Sequence, residues 1–251
     1  MSQWGLNPRT TDRPGDPLQG FADDVARGVL ARIVSAITDH PRSQQRIIGP
    51  SELGIPCVRA LLYKLAKWQE PEREPGWKPT IGTAVHAWLE GIFEKLSHEG
   101  WKTENRVIVG NIGGEDIGGT CDLFKPEVVI DWKIVGPKQL SKYKVNGPGE
   151  QYRRQAHLYG RGWQNAGQPV KIVMIVFLPR DGELRDAYFW WEQYDENIAL
   201  ETLKRAERCI GLIETEGLQN ALKLFPTCND PWCRYCAIDH AKEKTGSFFR
   251  R

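Results

Sequence analysis

The stretch Asp116–Lys133 reads DIGGTCDLFKPEVVIDWK, and it decides the fold. It contains two β-rich runs, DIGGTCDLF at 116–124 and EVVIDWK at 127–133, separated by a tight Lys125-Pro126 connection. A third run, RVIVGN at 106–111, comes just before them. Short runs rich in β-branched residues with Gly or Pro between them are typical of strands joined by turns. The stretch therefore predicts an antiparallel meander of three strands.

Three charged residues of the predicted meander, Asp122, Asp131 and Lys133, fall at positions that would bring their side chains together. Alternate residues of a strand share a face, so Asp131 and Lys133 point one way and Trp132 points the other. Antiparallel pairing would bring Asp122, in the preceding strand, beside Asp131, and two like charges side by side are unfavourable unless a cation neutralises them. A surface ion pair on an edge strand is the alternative.

A histidine can complete a cation site with these carboxylates. His86 lies in a helix predicted over about 83–98. Two carboxylates and an imidazole nitrogen suit Mg²⁺ or Mn²⁺, and the imidazole favours Mn²⁺. Lys133 would then orient or deprotonate a water molecule and offset negative charge on a phosphate. A histidine satisfied by contacts within its own helix is the alternative for His86.

Further helices and strands flank the meander. Apolar residues at three- or four-residue spacing predict amphipathic helices, and apolar runs predict strands. The predicted helices cover about 21–37, a stretch from a Ser51 cap through Leu65, 83–98, a stretch from about Gly149 through Tyr159, and a stretch from an Asp195 cap through Ile213; the later strands cover 170–179 and 184–194. We expect the first helix to be scaffold. This order predicts an α/β fold with a mixed central sheet flanked by helices.

Positive charge gathers downstream of Lys133, in a predicted loop bounded by Gly and Pro and in the helix that follows it. The basic residues are Lys138, Lys142, Lys144, Arg153 and Arg154. A phosphate backbone passing the carboxylates would meet these side chains, so they are candidate nucleic-acid contacts. A solvated loop would show the same composition.

Six cysteines are present, and three of them lie in TCNDPWCRYC at 227–236. This density is more typical of a metal site than of a disulfide framework. Thiolates of Cys228, Cys233 and Cys236 suit an iron-sulfur cluster or a structural zinc, for which His240 is a candidate ligand. Cys121 and Cys209 stand alone, and we expect both to be buried structural residues.

Four motifs together resemble one nuclease family. They are GTAVHAWLE at 82–90, GGTCDLF at 118–124, VVIDWK at 128–133 and QYRRQAHLY at 151–159. In this order they look like the PD-(D/E)XK nucleases of RecB type, which have a restriction-endonuclease-like core. The resemblance implies that His86, Asp122 and Asp131 are metal ligands and that Lys133 is the catalytic lysine. It also implies that Gln155 and Tyr159 contact DNA near the cut.

The segment SELGIPCVRALLYKL at 51–65 resembles part of the split cysteine set of AddB-type and CRISPR-associated exonucleases. The resemblance implies that Cys57 joins Cys228, Cys233 and Cys236 in holding a 4Fe-4S cluster; structural Zn²⁺ remains the alternative. The implied organisation is a flexible arm over 1–20 and a single nuclease domain over 21–251, with its core at about 80–195. A cysteine-stapled lobe would be formed by about 51–68 and 195–245.

The function implied is a metal-dependent DNA exonuclease of replication, recombination or repair, and its compact size suggests a phage protein. The partner would be DNA, single-stranded or with free ends. A catalytically inactive nucleic-acid-binding protein that keeps the fold and the metal cluster is the alternative, and a redox sensor built on the cysteines is a third hypothesis. Oligomeric state is left open, because a ring or dimer would leave no motif.

The bulk composition sets weaker limits. The 251 residues are 40% hydrophobic and carry a net charge of +2, as in many globular proteins. The sequence has no apolar run of about 18 residues and no apolar stretch of the signal-peptide kind near its start. We therefore expect a cytoplasmic protein that does not enter a membrane.

Overall fold

The computed structural model of the protein describes residues 10–11, 13, 15–39, 48–68, 76–231 and 233–237. These residues form helices and strands that we number in chain order. The helices are α1 (Gln19–Thr38), α2 (Pro50–Leu53), α3 (Val58–Leu65), α4 (Trp77–Glu94), α5 (Pro137–Asn146), α6 (Gly149–Asn165) and α7 (Glu196–Lys223). The strands are β1 (Lys102–Ile112), β2 (Glu115–Lys125), β3 (Glu127–Val135), β4 (Val170–Pro179) and β5 (Tyr188–Gln193). Short 3₁₀ helices cover Ser97–Glu99 and Leu184–Asp186.

The chain divides into two compact units, one made of residues 1–47 and 70–83 and the other of residues 48–69 and 84–251. In the first unit, α1 confirms the helix predicted over 21–37, but its apolar stripe is exposed. Phe21 is 70% exposed and Val25 is 49% exposed, whereas Val34 is buried. Within the part of the chain that the structure describes, no helix combines the length and apolar character needed to cross a membrane.

The five strands of the second unit form one sheet in the order β1-β2-β3-β4-β5. The first three strands pair antiparallel, which confirms the predicted meander. Strand β4 then pairs parallel with β3 and antiparallel with β5. A parallel neighbour requires a crossover connection, and α5 with α6 provides it. The predicted mixed sheet flanked by helices is confirmed.

Each face of the sheet has its own core. On one face, Val129 and Phe177 belong to the main core, which also contains residues of α3, α6 and α7. On the other face, Ile130, Trp132 and Val176 pack with Leu89 of α4. Because side chains alternate along β3, this arrangement turns Asp131 and Lys133 toward α6.

Helix α5 corrects the prediction of a loop around the three lysines. Pro137 occupies the first turn, where its missing N–H costs nothing, and Gly147 ends the helix with a positive φ of 72°. Leu140 is buried and Tyr143 is partly buried against the main core. These two side chains, three residues apart, anchor one side of a helix whose flanking Gly and Pro residues suggested only a loop.

The predicted Ser51 cap is also wrong. Ser51 lies inside the short helix α2, and the chain breaks before α3, whose N-cap is Cys57. Gly54 lets the chain pass close to α6, because a Cβ there would lie only 2.5 Å from the backbone oxygen of Gln151. Pro56, two residues after Gly54, has no N–H to continue a helix. Helix α4 is likewise displaced: it begins at Trp77 and ends at Glu94 rather than covering 83–98.

Candidate active site

Two buried carboxylates lie on adjacent strands where the β2–β3 ladder ends. The last paired residues are Leu123 and Ile130, immediately next to Asp122 and Asp131. Beyond that pair, Asp122 Oδ2 accepts a hydrogen bond of 2.8 Å from the backbone N–H of Trp132. Asp122 is 8% exposed and Asp131 is 2% exposed. The side chain of Asp122 thus replaces a ladder bond and fixes its carboxylate beside β3.

Both oxygens of Asp131 have contacts. Oδ2 forms an ion pair with Lys133 Nζ, from the same face of β3. Oδ1 accepts a hydrogen bond of 3.2 Å from Gln155 Nε2, which α6 directs toward the sheet. The ammonium of Lys133 also lies 4.8 Å from the centre of the Tyr152 ring. Strand β3 and helix α6 therefore hold the lysine and the carboxylate together.

His86 reaches the carboxylates from α4. Its Nδ1 lies 3.4 Å from Asp122 Oδ1 and is buried, yet it makes no hydrogen bond with the residues that the structure describes. A buried ring nitrogen without a hydrogen bond, next to a carboxylate, has the character of a metal ligand. The structure brings together all four residues predicted for the metal and the catalytic lysine.

Glu104 is a candidate ligand that the sequence did not suggest. Ligand atoms of His86, Glu104 and Asp122 all lie within 4.8 Å of one another, close enough for one cation. Thr103 pairs with Leu123 and Asn105 with Cys121, so Glu104 lies across the ladder from Asp122. The predicted strand began at residue 106, whereas β1 begins at Lys102. Extending the hairpin register by two residues would have found it.

The backbone of Glu104 is unusual for a glutamate in a strand. Its φ is +46°, in the left-handed region that non-glycine residues rarely adopt. Such a conformation costs free energy and is concentrated at functional sites. Here it interrupts the ladder opposite Asp122, at the point where the carboxylates gather.

Burial and mutual charge interactions shift the pKa values of the two aspartates and of His86. Burial, aided by the negative charge of Asp122, raises the pKa of Asp131 to about 6 despite the neighbouring Lys133. Burial also opposes ionisation of Asp122, but His86 and Lys133 lower its pKa below the usual value. Burial lowers the pKa of His86, yet the Asp122 carboxylate raises it overall. A cation bound beside these carboxylates would favour their charged forms and oppose the effect of burial.

Gln151, Gln155 and Tyr159 follow one another at four-residue spacing on α6 and form one polar stripe, in which Gln151 and Tyr159 have different surroundings from Gln155. Gln151 Nε2 donates a 3.0 Å hydrogen bond to the backbone oxygen of Ser51. Tyr159 is 6% exposed, and burial raises the pKa of its hydroxyl. Its ring lies beside Gly119, where a Cβ would come within 3.1 Å of it. Gln155 is thus the residue of this stripe that contacts a carboxylate of the site.

The predicted nucleic-acid contacts separate into two groups. Lys138, Lys142 and Lys144 are exposed on α5. Arg153 and Arg154 have partners within the protein: Arg153 Nε lies 2.6 Å from Glu192 Oε1, and Arg154 Nη2 lies 2.9 Å from Glu150 Oε2. The lysines are therefore exposed to a ligand, while both arginines form ion pairs within the protein.

Four cysteines from distant parts of the sequence form a second cluster. Sulfur atoms of Cys57, Cys228, Cys233 and Cys236 lie within 4.8 Å of one another. Cys57 Sγ is 3.6 Å from Cys236 Sγ, and Cys236 Sγ accepts the backbone N–H of Cys228 at 3.3 Å. The structure thus brings together the four cysteines predicted as ligands.

Protein contacts next to the cysteines hold the same segments together. The Arg59 guanidinium, two residues after Cys57, donates to the backbone oxygens of Leu222 and, at 2.8 Å, Phe225. Tyr63 of α3 stacks on Tyr235 with ring centres 5.2 Å apart. The polypeptide therefore positions the thiols by its own packing.

Three further predictions concern two cysteines expected to be buried and one alternative zinc ligand. Cys121 is 1% exposed and Cys209 is 5% exposed, which confirms both as buried residues. His240, the alternative zinc ligand, lies outside the described residues.

No family model matches the sequence, and no curated protein matches it. Among solved structures, a protein named SSO0001 is similar with a TM-score of 0.48 and 18% identity, over 78% of this chain and 89% of that chain. The alkaline exonuclease LHK-Exo from Laribacter hongkongensis has a TM-score of 0.48 and 13% identity, over 73% of this chain and 97% of its own. LHK-Exo in complex with dAMP has a TM-score of 0.44 and 13% identity, over 86% of this chain and 91% of its own.

Proposed function

We propose that this chain is a metal-dependent deoxyribonuclease that hydrolyses phosphodiester bonds by a PD-(D/E)XK mechanism and acts as an exonuclease. One observation carries the proposal. Three residues from two neighbouring strands, Asp122, Asp131 and Lys133, meet a histidine from α4 and a glutamine from α6 in one buried group. Burying carboxylates and a lysine costs desolvation free energy, and clusters of this kind are concentrated at functional sites.

The donors fit a divalent cation. Carboxylate oxygens of Glu104 and Asp122 lie within 4.8 Å of one another and of a nitrogen of His86. Asp131, on the strand next to Asp122, would add a further oxygen to the oxygen-rich set that Mg²⁺ and Mn²⁺ accept. The buried His86 Nδ1 and the raised pKa of Asp131 both indicate a place that a positive ion would stabilise. When bound, the ion would acidify a water molecule and draw negative charge from a phosphate oxygen.

Lys133 has the position for an electrostatic role in this reaction. Its ammonium, paired with Asp131 and next to Tyr152, is a compact positive charge that can offset charge developing on phosphate oxygens. Gln155 fixes the orientation of Asp131 through the hydrogen bond to Oδ1. Asp122 is fixed in turn by the Trp132 N–H. Lys133, Asp131 and Asp122 are therefore each held in place by a contact with another group of the protein.

The DNA would be held by its phosphates near α5. This helix directly follows β3, and its three lysines are exposed. Phosphate contacts of this kind give sequence-independent affinity that falls as salt concentration rises. Such affinity suits an exonuclease, which must act on any sequence. A RecB-type relationship is the finer part of the proposal, and the resemblance of the sequence motifs supports it.

The four cysteines fit a soft metal centre in the same protein. Four thiols at mutual distances below 4.8 Å suit a 4Fe-4S cluster, and they equally suit a tetrahedral Zn²⁺. In either case the centre would join segments far apart in sequence. It lies outside the set of residues proposed for phosphodiester cleavage, so we assign it a structural role.

The proposal is tested by incubating the purified, metal-loaded protein with end-labelled linear and closed circular DNA, single- and double-stranded. Reactions contain Mn²⁺, Mg²⁺ or EDTA. Loss of linear DNA, dependent on the divalent ion, is the expected result. Asp122→Asn should abolish it, because the isosteric amide removes the charge.

The matched control is Asp116→Asn, which changes an exposed aspartate on the same strand and should leave the rate unchanged. Cleavage of circles as fast as linear DNA would replace the exonuclease assignment by an endonuclease. Tight DNA binding without cleavage of any substrate would overturn the enzyme and favour an inactive nucleic-acid-binding protein.

A further inference from the structure

Two groups contact the ammonium of Lys133. The first is the Asp131 carboxylate, which forms an ion pair with it. The second is the aromatic ring of Tyr152, whose centre is 4.8 Å from Nζ. The face of an aromatic ring carries partial negative charge and attracts a cation at this distance. The lysine side chain is only 15% exposed, so water competes little for the ammonium.

The Tyr152 ring is itself fixed by packing. It lies on α6, and its ring centre is 5.9 Å from that of Tyr143 on α5 and 6.2 Å from that of Phe177 on β4. Tyr143 in turn stacks on Phe177 at 4.4 Å. The ring therefore belongs to an aromatic cluster anchored on three elements and has little freedom to move away from Lys133.

We propose that Tyr152 is a positioning residue for Lys133. This inference rests on the proposed nuclease function, in which the ammonium must lie beside the reacting phosphate. A lysine side chain has a flexible four-carbon stem and many conformers of similar energy. The ring of Tyr152 and the carboxylate of Asp131 select the conformers in which the ammonium stays at the end of β3.

The role belongs to the ring and not to the phenol oxygen. The contact is measured to the ring centre, and a phenylalanine presents the same face to the ammonium. Tyr152→Phe should therefore keep the function, whereas Tyr152→Leu should lose it while still filling much of the space. This pair separates positioning by the aromatic face from any chemistry of the hydroxyl.

The first test compares kcat and KM for linear DNA with saturating Mn²⁺. For Tyr152→Leu we expect kcat to fall about tenfold, the change that about 1.4 kcal/mol in the barrier produces, with KM unchanged. Tyr152→Phe should stay within about twofold of the wild type on the same scale. Tyr188→Leu is the control, because Tyr188 stacks on Phe177 at 6.0 Å without contacting the lysine, and it should leave kcat unchanged. Equal losses in Tyr152→Leu and Tyr188→Leu would overturn the proposal.

The second test does not depend on cleavage. In protein labelled with ¹³C at the lysine ε carbons, the Lys133 ε-proton signal, assigned by its absence in Lys133→Arg, should be shifted upfield by the ring current of Tyr152. The shift should persist in Tyr152→Phe and vanish in Tyr152→Leu. If the shift behaves so but the wild type cleaves nothing, the nuclease function fails while the contact stands. A signal unchanged in Tyr152→Leu overturns the positioning role itself. If the leucine variant does not fold, Tyr152→Met replaces it.

Discussion

The carboxylate and lysine site and the cysteine cluster are assembled in opposite ways. Asp122, Asp131 and Lys133 lie within twelve residues of sequence, on two strands joined by a tight turn. Cys57 and Cys236 are 179 residues apart and meet because α3 and the segment after α7 pack together. The first site is placed by hairpin register, and the second depends on the whole chain being folded. We therefore expect changes in the first to affect chemistry and changes in the second to affect stability.

The largest effect should come from removing one thiol of the cluster. Cys236→Ala should release the bound metal and lower the free energy of unfolding by about 5 kcal/mol, the loop-closure entropy of a cross-link over so long a span. Cleavage per folded molecule should stay at the wild-type rate. Chemical denaturation measures the free energy of unfolding, and a parallel metal assay measures the metal that each protein retains.

The control for the cysteine variant is another buried cysteine. Cys209→Ala removes a lone thiol from α7, and we expect a loss of about 1 kcal/mol from lost packing. If Cys236→Ala cost no more than this, the cluster would not staple the chain. If it abolished cleavage in a fully folded protein, the separation between the two regions would break down.

A second effect tests whether Glu104 belongs to the proposed cation site. Glu104→Gln keeps the size of the side chain and removes its charge, so Mn²⁺ should bind about tenfold more weakly, a change of about 1.4 kcal/mol. Isothermal titration without DNA measures the affinity. Glu115→Gln, at an exposed glutamate of the same hairpin, should bind Mn²⁺ like the wild type. Equal affinities in all three proteins would remove Glu104 from the site.

A third effect sharpens the role of α6. Gln155→Leu removes the donor to Asp131 Oδ1, and hydrogen bonds to charged groups contribute about 1.5–3 kcal/mol. The single-turnover cleavage rate should therefore fall at least about tenfold, by the same free-energy scale. Gln151→Leu changes the residue one turn earlier, which bonds Ser51 instead, and should cleave normally. A Gln155 variant with a normal rate would show that Asp131 needs no orienting contact.

The smallest expected effect is a pH dependence of stability, and it arises from His157, which lies outside both regions. His157 is fully buried; its Nδ1 accepts the Asp195 N–H at 3.1 Å, and its Nε2 lies 2.6 Å from Glu192 Oε1. Burial lowers the pKa of His157, although Glu192 opposes this. The unfolded chain then binds the proton more readily, so stability is full above the ordinary pKa of 6.5 and declines as pH falls below it.

The measurement is urea denaturation at pH 8 and pH 5.5. The wild type should lose more stability across this interval than His157→Gln, which cannot titrate. Identical losses in the two proteins would assign the pH dependence to other groups.

The proximity of Asp122, Asp131 and Lys133 could be predicted from the sequence because its determinants are local. Register across one tight turn places Asp122 near Asp131, and alternation along β3 places Lys133 on the same face. Glu104 was not predicted because it lies at the far end of a long hairpin, where a left-handed φ interrupts the ladder. Helix α5 was not predicted for another reason. Its anchors, Leu140 and Tyr143, are recognisable only once the core they contact exists.

The cysteine cluster shows the limit of reasoning from residues alone. The spacing within 227–236 indicated three ligands, but only the resemblance to a family connected them with Cys57. The contacts that bring Cys57 there, from Arg59 to the end of α7, join residues more than 160 positions apart. No local pattern predicts such bonds.

The measurement that tests the central claim most directly is single-turnover cleavage of linear DNA by Lys133→Met, with Mn²⁺ affinity measured on the same sample. Methionine keeps the length of the stem and removes the ammonium. The account predicts cleavage at least about 100-fold slower, as for loss of one transition-state charge contact, with Mn²⁺ bound as tightly as in the wild type. Cleavage at the wild-type rate would contradict the assignment of Lys133 and of the site built around it.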